Sequence, residues 1–149
     1  MVFYHCLCTT ITVGPRPVGD LERYALKTTI GENMKDIFPS PITNLPEADI
    51  QLEGITAYLS QAETHQILFM RFDKDADLPE HYHDAQIGVV LEGKIELTIG
   101  GEKKTYTKGD RYYIPKGVKH SGKIFAGYAD ITFFNEPSRY SKKTNKNEH

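Results

Sequence analysis

The chain has 149 residues, of which 39% are hydrophobic and 26% are charged, and its formal net charge is −2. These values are typical of one soluble globular domain, and they give no reason to expect nucleic acid or a membrane surface as a partner. No apolar run is long enough to span a bilayer, and the apolar stretch 2–13 lacks the basic start of a signal peptide. The two cysteines, Cys6 and Cys8, cannot form a disulfide framework, so we expect a reducing, cytoplasmic location.

Three zones divide the chain. Residues 1–33 have a mixed composition that is broken by Gly-Pro-Arg-Pro, and we predict that they form a weakly ordered extension or an edge strand. Residues 34–137 are predicted to form the working domain, and we expect a chain that starts at Met34 to fold alone. Residues 138–149 are polar and are predicted to form a frayed tail.

Within residues 34–137 the hydrophobic pattern has a period of two. Turns that contain glycine separate the apolar runs at intervals typical of antiparallel strands. The predicted strands are 67–72, 86–91, 94–99, 103–107, 111–114, 119–125 and 128–134. Short strands with such turns predict an all-β barrel or sandwich.

Two histidine blocks stand out in this domain. His81 and His83 are two residues apart, so on one strand both imidazoles would face the same side. His120 ends a second block and could supply a third imidazole. Two such histidines alone are more often solvent-exposed. Three that converge favour a site for a first-row divalent metal, because burying them without an ion is costly.

These blocks resemble the two sequence motifs of the cupins. The resemblance covers roughly residues 66–134, and it implies a small antiparallel jelly-roll β-barrel that holds one metal ion. In the first motif the matching residues are His81, His83 and Gly93. In the second motif the matching residues are Gly109, Pro115, Gly117 and His120.

The chain departs from these motifs at three positions. Asp75 and Ile124 replace a glycine and an asparagine, and Gln86 takes the place of the acidic metal ligand. Either Gln86 coordinates the metal through its neutral carboxamide oxygen, or it hydrogen-bonds a metal-bound water. A neutral ligand would leave the centre more positive, which favours anionic substrates. Asp84 and Glu80 are alternative carboxylate ligands, although exposed loop acids are the simpler interpretation.

Asp130 lies inside the otherwise apolar strand 128–134. A buried carboxylate needs a partner or a raised pKa, but strand alternation allows its side chain to face either the interior or the outer surface. The chain also resembles a cupin subfamily that linearises unsaturated uronates with a metal, three histidines and a glutamine. The proton-transferring aspartate of that subfamily corresponds to Asp130. Thr132 stands where the subfamily has an aromatic residue, and Arg139 comes later than its arginine.

The resemblance implies a metal-dependent enzyme that isomerises, or transfers a proton on, a small anionic, carbohydrate-derived molecule. It implies one divalent transition metal (Fe, Mn, Zn or Ni), and Asp130 as the proton-transfer group. The implied metal ligands are His81, His83, Gln86 and His120. An Fe- or Mn-dependent dioxygenase and a non-catalytic barrel that binds a small molecule are the two alternatives. We also expect a homodimer, because small barrels leave strand edges that need cover.

Overall fold

The computed structural model describes residues 37–144, which contain one short helix and nine strands. The bounds are α1 (Ser40–Thr43), β1 (Ile55–Gln61), β2 (Gln66–Phe72), β3 (Ala76–His81), β4 (Gln86–Glu92), β5 (Lys94–Ile99), β6 (Glu102–Thr107), β7 (Arg111–Ile114), β8 (His120–Ile124) and β9 (Tyr128–Phe134). The predicted extension 1–33, the start at Met34 and residues 145–149 lie outside the described residues. Within the described range, no helix is long and apolar enough to cross a membrane. The cytoplasmic location stays a prediction.

The strands form two antiparallel sheets. One sheet has the order β1-β2-β9-β4-β7, and the other has the order β3-β8-β5-β6. Most neighbours in each sheet are distant in sequence, and β9 joins the sheet between β2 and β4. This topology confirms the predicted all-β, antiparallel jelly-roll fold.

All seven predicted strands are present, and their ends shift by no more than one residue. The structure adds β1 and β3. Polar residues interrupt the alternation of hydrophobic residues in β1. β3 contains Pro79, which makes a strand harder to predict from the sequence. The pairing of β3 with β8 is irregular between Leu78 and His81. Pro79 therefore falls where the ladder is already interrupted, so its missing N–H removes no regular bond.

Alternation along β4 and β9 places polar side chains inside the barrel. Ile87 and Val89 of β4 face outwards and are 45% and 40% exposed, whereas the residues that alternate with them are buried. The inward residues of β4 are Gln86, Gly88 and Val90, and those of β9 are Tyr128, Asp130, Thr132 and Phe134. The register pairs Gln86 with Phe134 and Gly88 with Thr132. Apolar residues of both sheets surround these positions.

The segment that follows β9 packs on the barrel. The Tyr140 ring contacts Phe134, with 5.6 Å between the ring centroids. The buried Gln66 amide donates to the Tyr140 carbonyl at 2.8 Å and accepts from the Tyr140 N–H at 3.0 Å. Lys142 forms an isolated bridge with Ala48. The expectation of a frayed tail from residue 138 is therefore wrong for residues 138–143, because Gln66 supplies the hydrogen bonds that a polar tail would otherwise make with water.

Candidate metal centre

The structure brings three histidines together at one end of the cavity. His81 ends β3 and His120 begins β8, and the two are paired across the strands. The ring centroids lie 4.2 Å apart for His81 and His120, 4.6 Å for His83 and His120, and 5.4 Å for His81 and His83. One nitrogen of each ring lies within 4.8 Å of the others. The expectation that His81 and His83 share a strand is wrong, because β3 ends at His81.

Backbone carbonyls fix the tautomer of all three rings. The Nδ1 atoms of His81 and His120 lie 2.7 and 2.9 Å from the carbonyl oxygen two residues earlier, and that of His83 lies 2.6 Å from the carbonyl oxygen of the next residue. A carbonyl oxygen only accepts, so each Nδ1 donates and each Nε2 keeps a free lone pair. The Nε2 atoms of His83 and His120 are buried without a hydrogen-bond partner from the described part of the chain. A divalent metal ion would satisfy them, so the residues fit the implied metal.

The electrostatics of the cluster also suit a metal. Burial, followed by the nearby positive charge of Arg139, lowers the pKa of His83 to about 4, against the backbone bond that raises it. Burial likewise lowers the pKa of His120. Imidazole binds metal in its neutral form, so neither ring has to lose a proton at neutral pH before it coordinates.

Gln86 lies on the inner side of β4 and lines the same cavity as the histidines. Its carboxamide nitrogen lies 3.3 Å from the hydroxyl of Tyr112, to which it donates. The alternative acids lie elsewhere, since Asp84 is paired with Lys116 and Glu80 with Lys119 in exposed ion pairs. Of the residues named from the sequence, Gln86 is therefore the remaining candidate for a fourth ligand.

Asp130 faces the interior and is only 1% exposed, so the outward alternative does not occur. Its Oδ2 accepts hydrogen bonds from the hydroxyls of Tyr112, Tyr128 and Thr132, at 3.1, 2.8 and 2.9 Å. Its Oδ1 is buried and has no partner among the residues that the structure describes. Burial raises the pKa of Asp130 to about 6, although the three hydroxyls act in the opposite direction. Burial also raises the pKa of both tyrosines.

The cavity that joins these groups has a volume of about 80 Å³. The three histidines, Gln86 and Asp130 line it together with apolar side chains from both sheets. A few polar groups within an apolar wall are the kind of lining that holds a small ligand. The metal candidates and the candidate acid therefore face one common volume.

The segment after β9 adds Arg139 to the cavity lining. Its guanidinium lies 5.4 Å from the ring centroids of both Phe134 and Tyr140. Its Nε is buried without a hydrogen-bond partner within residues 37–144, and the carboxylate of Glu136 lies 3.9 Å from its NH1. Sequence reasoning missed this placement because the segment looked like a solvated tail.

Sequence reasoning also missed the hydroxyl groups around Asp130. It gave Tyr112 and Tyr128 no role in the site, and it named Thr132 only as a departure from a motif. A signal was available in the period of two, because Tyr112 shares a strand face with Ile114, and Tyr128 and Thr132 share one with Asp130. The pattern identifies the face but does not show that the hydroxyls meet at one carboxylate oxygen.

Comparison with known proteins agrees with this geometry. The family model described as Cupin domain matches residues 68–127. This part of the chain is therefore similar to a cupin domain. Its histidine cluster fits a cupin metal site.

Two solved structures resemble the chain over its barrel. An RmlC-like cupin from Shewanella frigidimarina NCIMB 400 is 26% identical, with a TM-score of 0.55, over 63% of this chain and 86% of that one. KdgF from Halomonas sp. is 25% identical, with a TM-score of 0.55, over 62% of this chain and 89% of that one. Both likenesses cover most of the solved chain.

The curated relatives match over shorter segments. Quercetin 2,3-dioxygenase of Bacillus subtilis (strain 168) is 38% identical over 64 residues, which are 42% of this chain and 19% of that protein. The chain spans between 9% and 44% of the length of the curated relatives that it matches.

Proposed function

We propose that this cupin is a metal-dependent enzyme that isomerises, or transfers a proton on, a small anionic, carbohydrate-derived molecule. One observation carries the proposal. A buried carboxylate with one unpartnered oxygen shares a small cavity with three imidazoles whose metal-binding nitrogens are already free. Carbonyl polarisation and proton transfer are the two requirements of such an isomerisation.

The metal would be held by His81, His83 and His120, with Gln86 as the proposed fourth ligand. When bound, it supplies Lewis-acid chemistry at a carbonyl or hydroxyl oxygen of the substrate. The apolar walls exclude bulk water around the bound molecule. His83 and His120 stay neutral because burial lowers the pKa of both, so these two rings neither take up nor release the transferred proton.

Asp130 would carry the proton on Oδ1. The three hydroxyl donors hold Oδ2, whereas Oδ1 is the oxygen that remains free to accept or return a proton. A pKa of about 6 lies close to neutral pH, where a group can act as base in one step and as acid in the next. Both steps of an isomerisation can therefore use one carboxylate.

The position of Arg139 supports the proposal that the substrate is an anion. Its guanidinium lines the cavity, and its nearest carboxylate, that of Glu136, stays at 3.9 Å, beyond hydrogen-bond distance. Guanidinium groups bind carboxylates through paired, charge-assisted hydrogen bonds. The resemblance to the uronate-linearising subfamily also supports a sugar-acid substrate.

A second candidate is an Fe- or Mn-dependent dioxygenase. The three-histidine face is compatible with oxygen chemistry, and the partial match to quercetin 2,3-dioxygenase favours it specifically. In that case Asp130 would act on an acidic substrate proton. The third candidate, a non-catalytic barrel, would use the same cavity for binding only.

The test is a screen with solvent deuterium as the reporter. Chelator-treated protein is reloaded separately with Fe, Mn, Zn or Ni and is incubated in D₂O with unsaturated uronates, keto acids and sugar acids. We expect metal-dependent rearrangement with deuterium incorporation, followed by NMR, and its loss in Asp130→Asn. Oxygen uptake with turnover would favour the dioxygenase, and ligand-induced thermal stabilisation without conversion would favour the binding barrel.

A homodimer is part of the proposal. The two sheets end in the edge strands β1, β7, β3 and β6, and a second copy could cover some of these edges. Light scattering at micromolar concentration tests this assembly. A monomer would reject it without affecting the proposed chemistry.

A further inference from the structure

Tyr112 spans the distance between the candidate fourth ligand and the candidate acid. It lies on the inner side of β7, where it pairs with Gly88 of β4, and it is only 4% exposed. Its hydroxyl oxygen lies 3.3 Å from the carboxamide nitrogen of Gln86 and 3.1 Å from Oδ2 of Asp130. One hydroxyl therefore contacts both functional groups.

A proton count gives this contact a direction. A phenol hydroxyl has one proton to donate. Oδ2 of Asp130 is an acceptor and also receives the hydroxyls of Tyr128 and Thr132, so Tyr112 donates to it. The Tyr112 oxygen can then only accept from Gln86. This fixes the carboxamide with its nitrogen towards Tyr112 and leaves Oε1 free for the cavity.

The same count explains why residue 86 is a glutamine. A glutamate would place a second acceptor against a hydroxyl whose only proton is already used by Asp130. Glutamine brings its own N–H to this contact and still offers an oxygen to a metal. The departure from the acidic ligand of the cupin motif therefore matches the presence of Tyr112 and Asp130.

Gly88 provides the space for the phenol. A Cβ atom at residue 88 would overlap the hydroxyl-bearing ring carbon and the hydroxyl oxygen of Tyr112. Gly88 is not among the glycines with a positive φ, so its backbone conformation is open to other residues. Alanine at this position would act chiefly by displacing the phenol.

We propose that Tyr112 is a positioning residue that orients the Gln86 carbonyl oxygen for metal binding and holds Asp130 through Oδ2, with Gly88 making room for it. The inference rests on the proposed function, because it takes Gln86 as a ligand and Asp130 as the acid. Neither Tyr112 nor Gly88 contacts the metal or the substrate in this role.

The experiment measures Zn²⁺ or Mn²⁺ affinity of the full-length chain by competition with a chelator. Gln86→Ala and Tyr112→Phe should each weaken binding by about tenfold to a hundredfold, the usual effect of changing a ligand or the group that orients it. Gly88→Ala should weaken binding similarly although the tyrosine is kept. Tyr106→Phe is the matched control, since this buried tyrosine packs 5.5 Å from the Tyr112 ring, and it should leave the affinity unchanged.

Double variants separate positioning from general stability. Added to Gln86→Ala, Tyr112→Phe should weaken metal binding no further, because the oxygen that it orients is gone. Gln86→Glu should bind metal better in the Tyr112→Phe background than in the Tyr112 background. Both of these results would support the proposal. Circular dichroism verifies that each variant is folded. If Tyr112→Phe does not fold, Gly88→Ala replaces it in the double variants.

Three outcomes would contradict the account, and they are distinguishable. If Gln86→Ala weakens binding while Tyr112→Phe and Gly88→Ala do not, Tyr112 does not orient the ligand, and the proposed function stands. If His120→Ala keeps full metal affinity, the metal centre itself is wrong and the proposed function fails with it. Additive losses in the double variant would likewise overturn the positioning role.

Discussion

The histidine cluster and the Asp130 network share one cavity but satisfy their polar atoms in opposite ways. The Nε2 atoms of His83 and His120 are buried and receive no hydrogen bond from the described residues. Oδ2 of Asp130 receives three. Buried polar atoms without partners are costly, so the cluster is suited to a ligand from outside the chain, whereas Oδ2 is satisfied by the chain itself.

Burial also shifts the pKa values of the two regions in opposite directions. It lowers the pKa of His83 to about 4 and raises the pKa of Asp130 to about 6. In both cases it favours the neutral form. A neutral imidazole is ready for a metal, and a carboxyl group that gives up its proton near neutral pH is ready for proton transfer. The contrast therefore supports the proposal that one region binds the metal and the other transfers the proton.

Asp130→Asn should impair the function of the Asp130 network and leave the histidine cluster intact. We expect turnover of the substrate found in the screen to fall by about 10²–10⁴-fold, the usual contribution of general acid–base catalysis. Metal content and melting temperature should not fall, because asparagine keeps an acceptor for the three hydroxyls. Asp77→Asn, an exposed change of the same kind, is the control. Unchanged turnover in Asp130→Asn would remove the proton-transfer role.

His120→Ala should impair metal binding by the histidine cluster and leave the Asp130 network intact. We expect metal affinity to fall by at least about a hundredfold, measured by chelator competition, because one of three imidazoles is lost. Chelation should lower the melting temperature of the wild type, and much less that of the variant. His65→Ala is the matched control, because this ring stacks on Phe133 away from the cluster. Equal affinities for both variants would contradict the site.

Arg139→Gln should weaken substrate binding without removing the metal. Losing a charge-assisted pair to a carboxylate should raise the KM or Kd for the anion about tenfold. Metal affinity should stay the same or rise, because Arg139 contributes to the lowered pKa of His83 and His120. Arg111→Gln removes an exposed arginine and should change neither quantity. A loss of metal with Arg139→Gln would indicate a structural role instead.

The smallest expected effect is a pH dependence of stability. The pKa of Asp130 is raised from 3.8 to about 6, so its contribution to stability is complete below pH 3.8 and is lost as the pH rises through 6. Between pH 5 and pH 8 the metal-free wild type should lose roughly 1 kcal/mol relative to Asp130→Asn. The lowered pKa of His83 and His120 acts in the opposite direction in both proteins and cancels in the difference.

Urea unfolding of metal-free wild type and Asp130→Asn at the two pH values measures this difference. Only the change with pH is compared, because the substitution also alters hydrogen bonds that do not depend on pH. Parallel pH profiles for the two proteins would mean that Asp130 does not titrate in this range.

The sequence predicted the barrel and the three histidines because both depend on local patterns. A period of two places β4 and β9 in the core, and the spacing within the two motifs identifies His81, His83 and His120. The direction of Asp130 could not be predicted, since alternation alone allows either face. The hydroxyls of Tyr112 and Tyr128 reach Asp130 only through pairing between strands that are distant in sequence.

Arg139 was unpredictable for a different reason. The residues around it are polar and lack a strand pattern, so their composition indicates a solvated tail. They are ordered by Gln66, a buried amide on β2 that bonds the backbone of Tyr140. A buried side chain 74 residues before Tyr140 therefore helps to hold Arg139 at the cavity.

The most direct test is a crystal structure of metal-loaded protein with anomalous diffraction recorded at the absorption edge of the metal. We predict one anomalous peak per chain, about 2.0–2.2 Å from Nε2 of His81, His83 and His120 and from Oε1 of Gln86. Oδ1 of Asp130 should face the open side of the ion. A peak elsewhere, or a Gln86 carboxamide that points its nitrogen at the ion, would contradict the account.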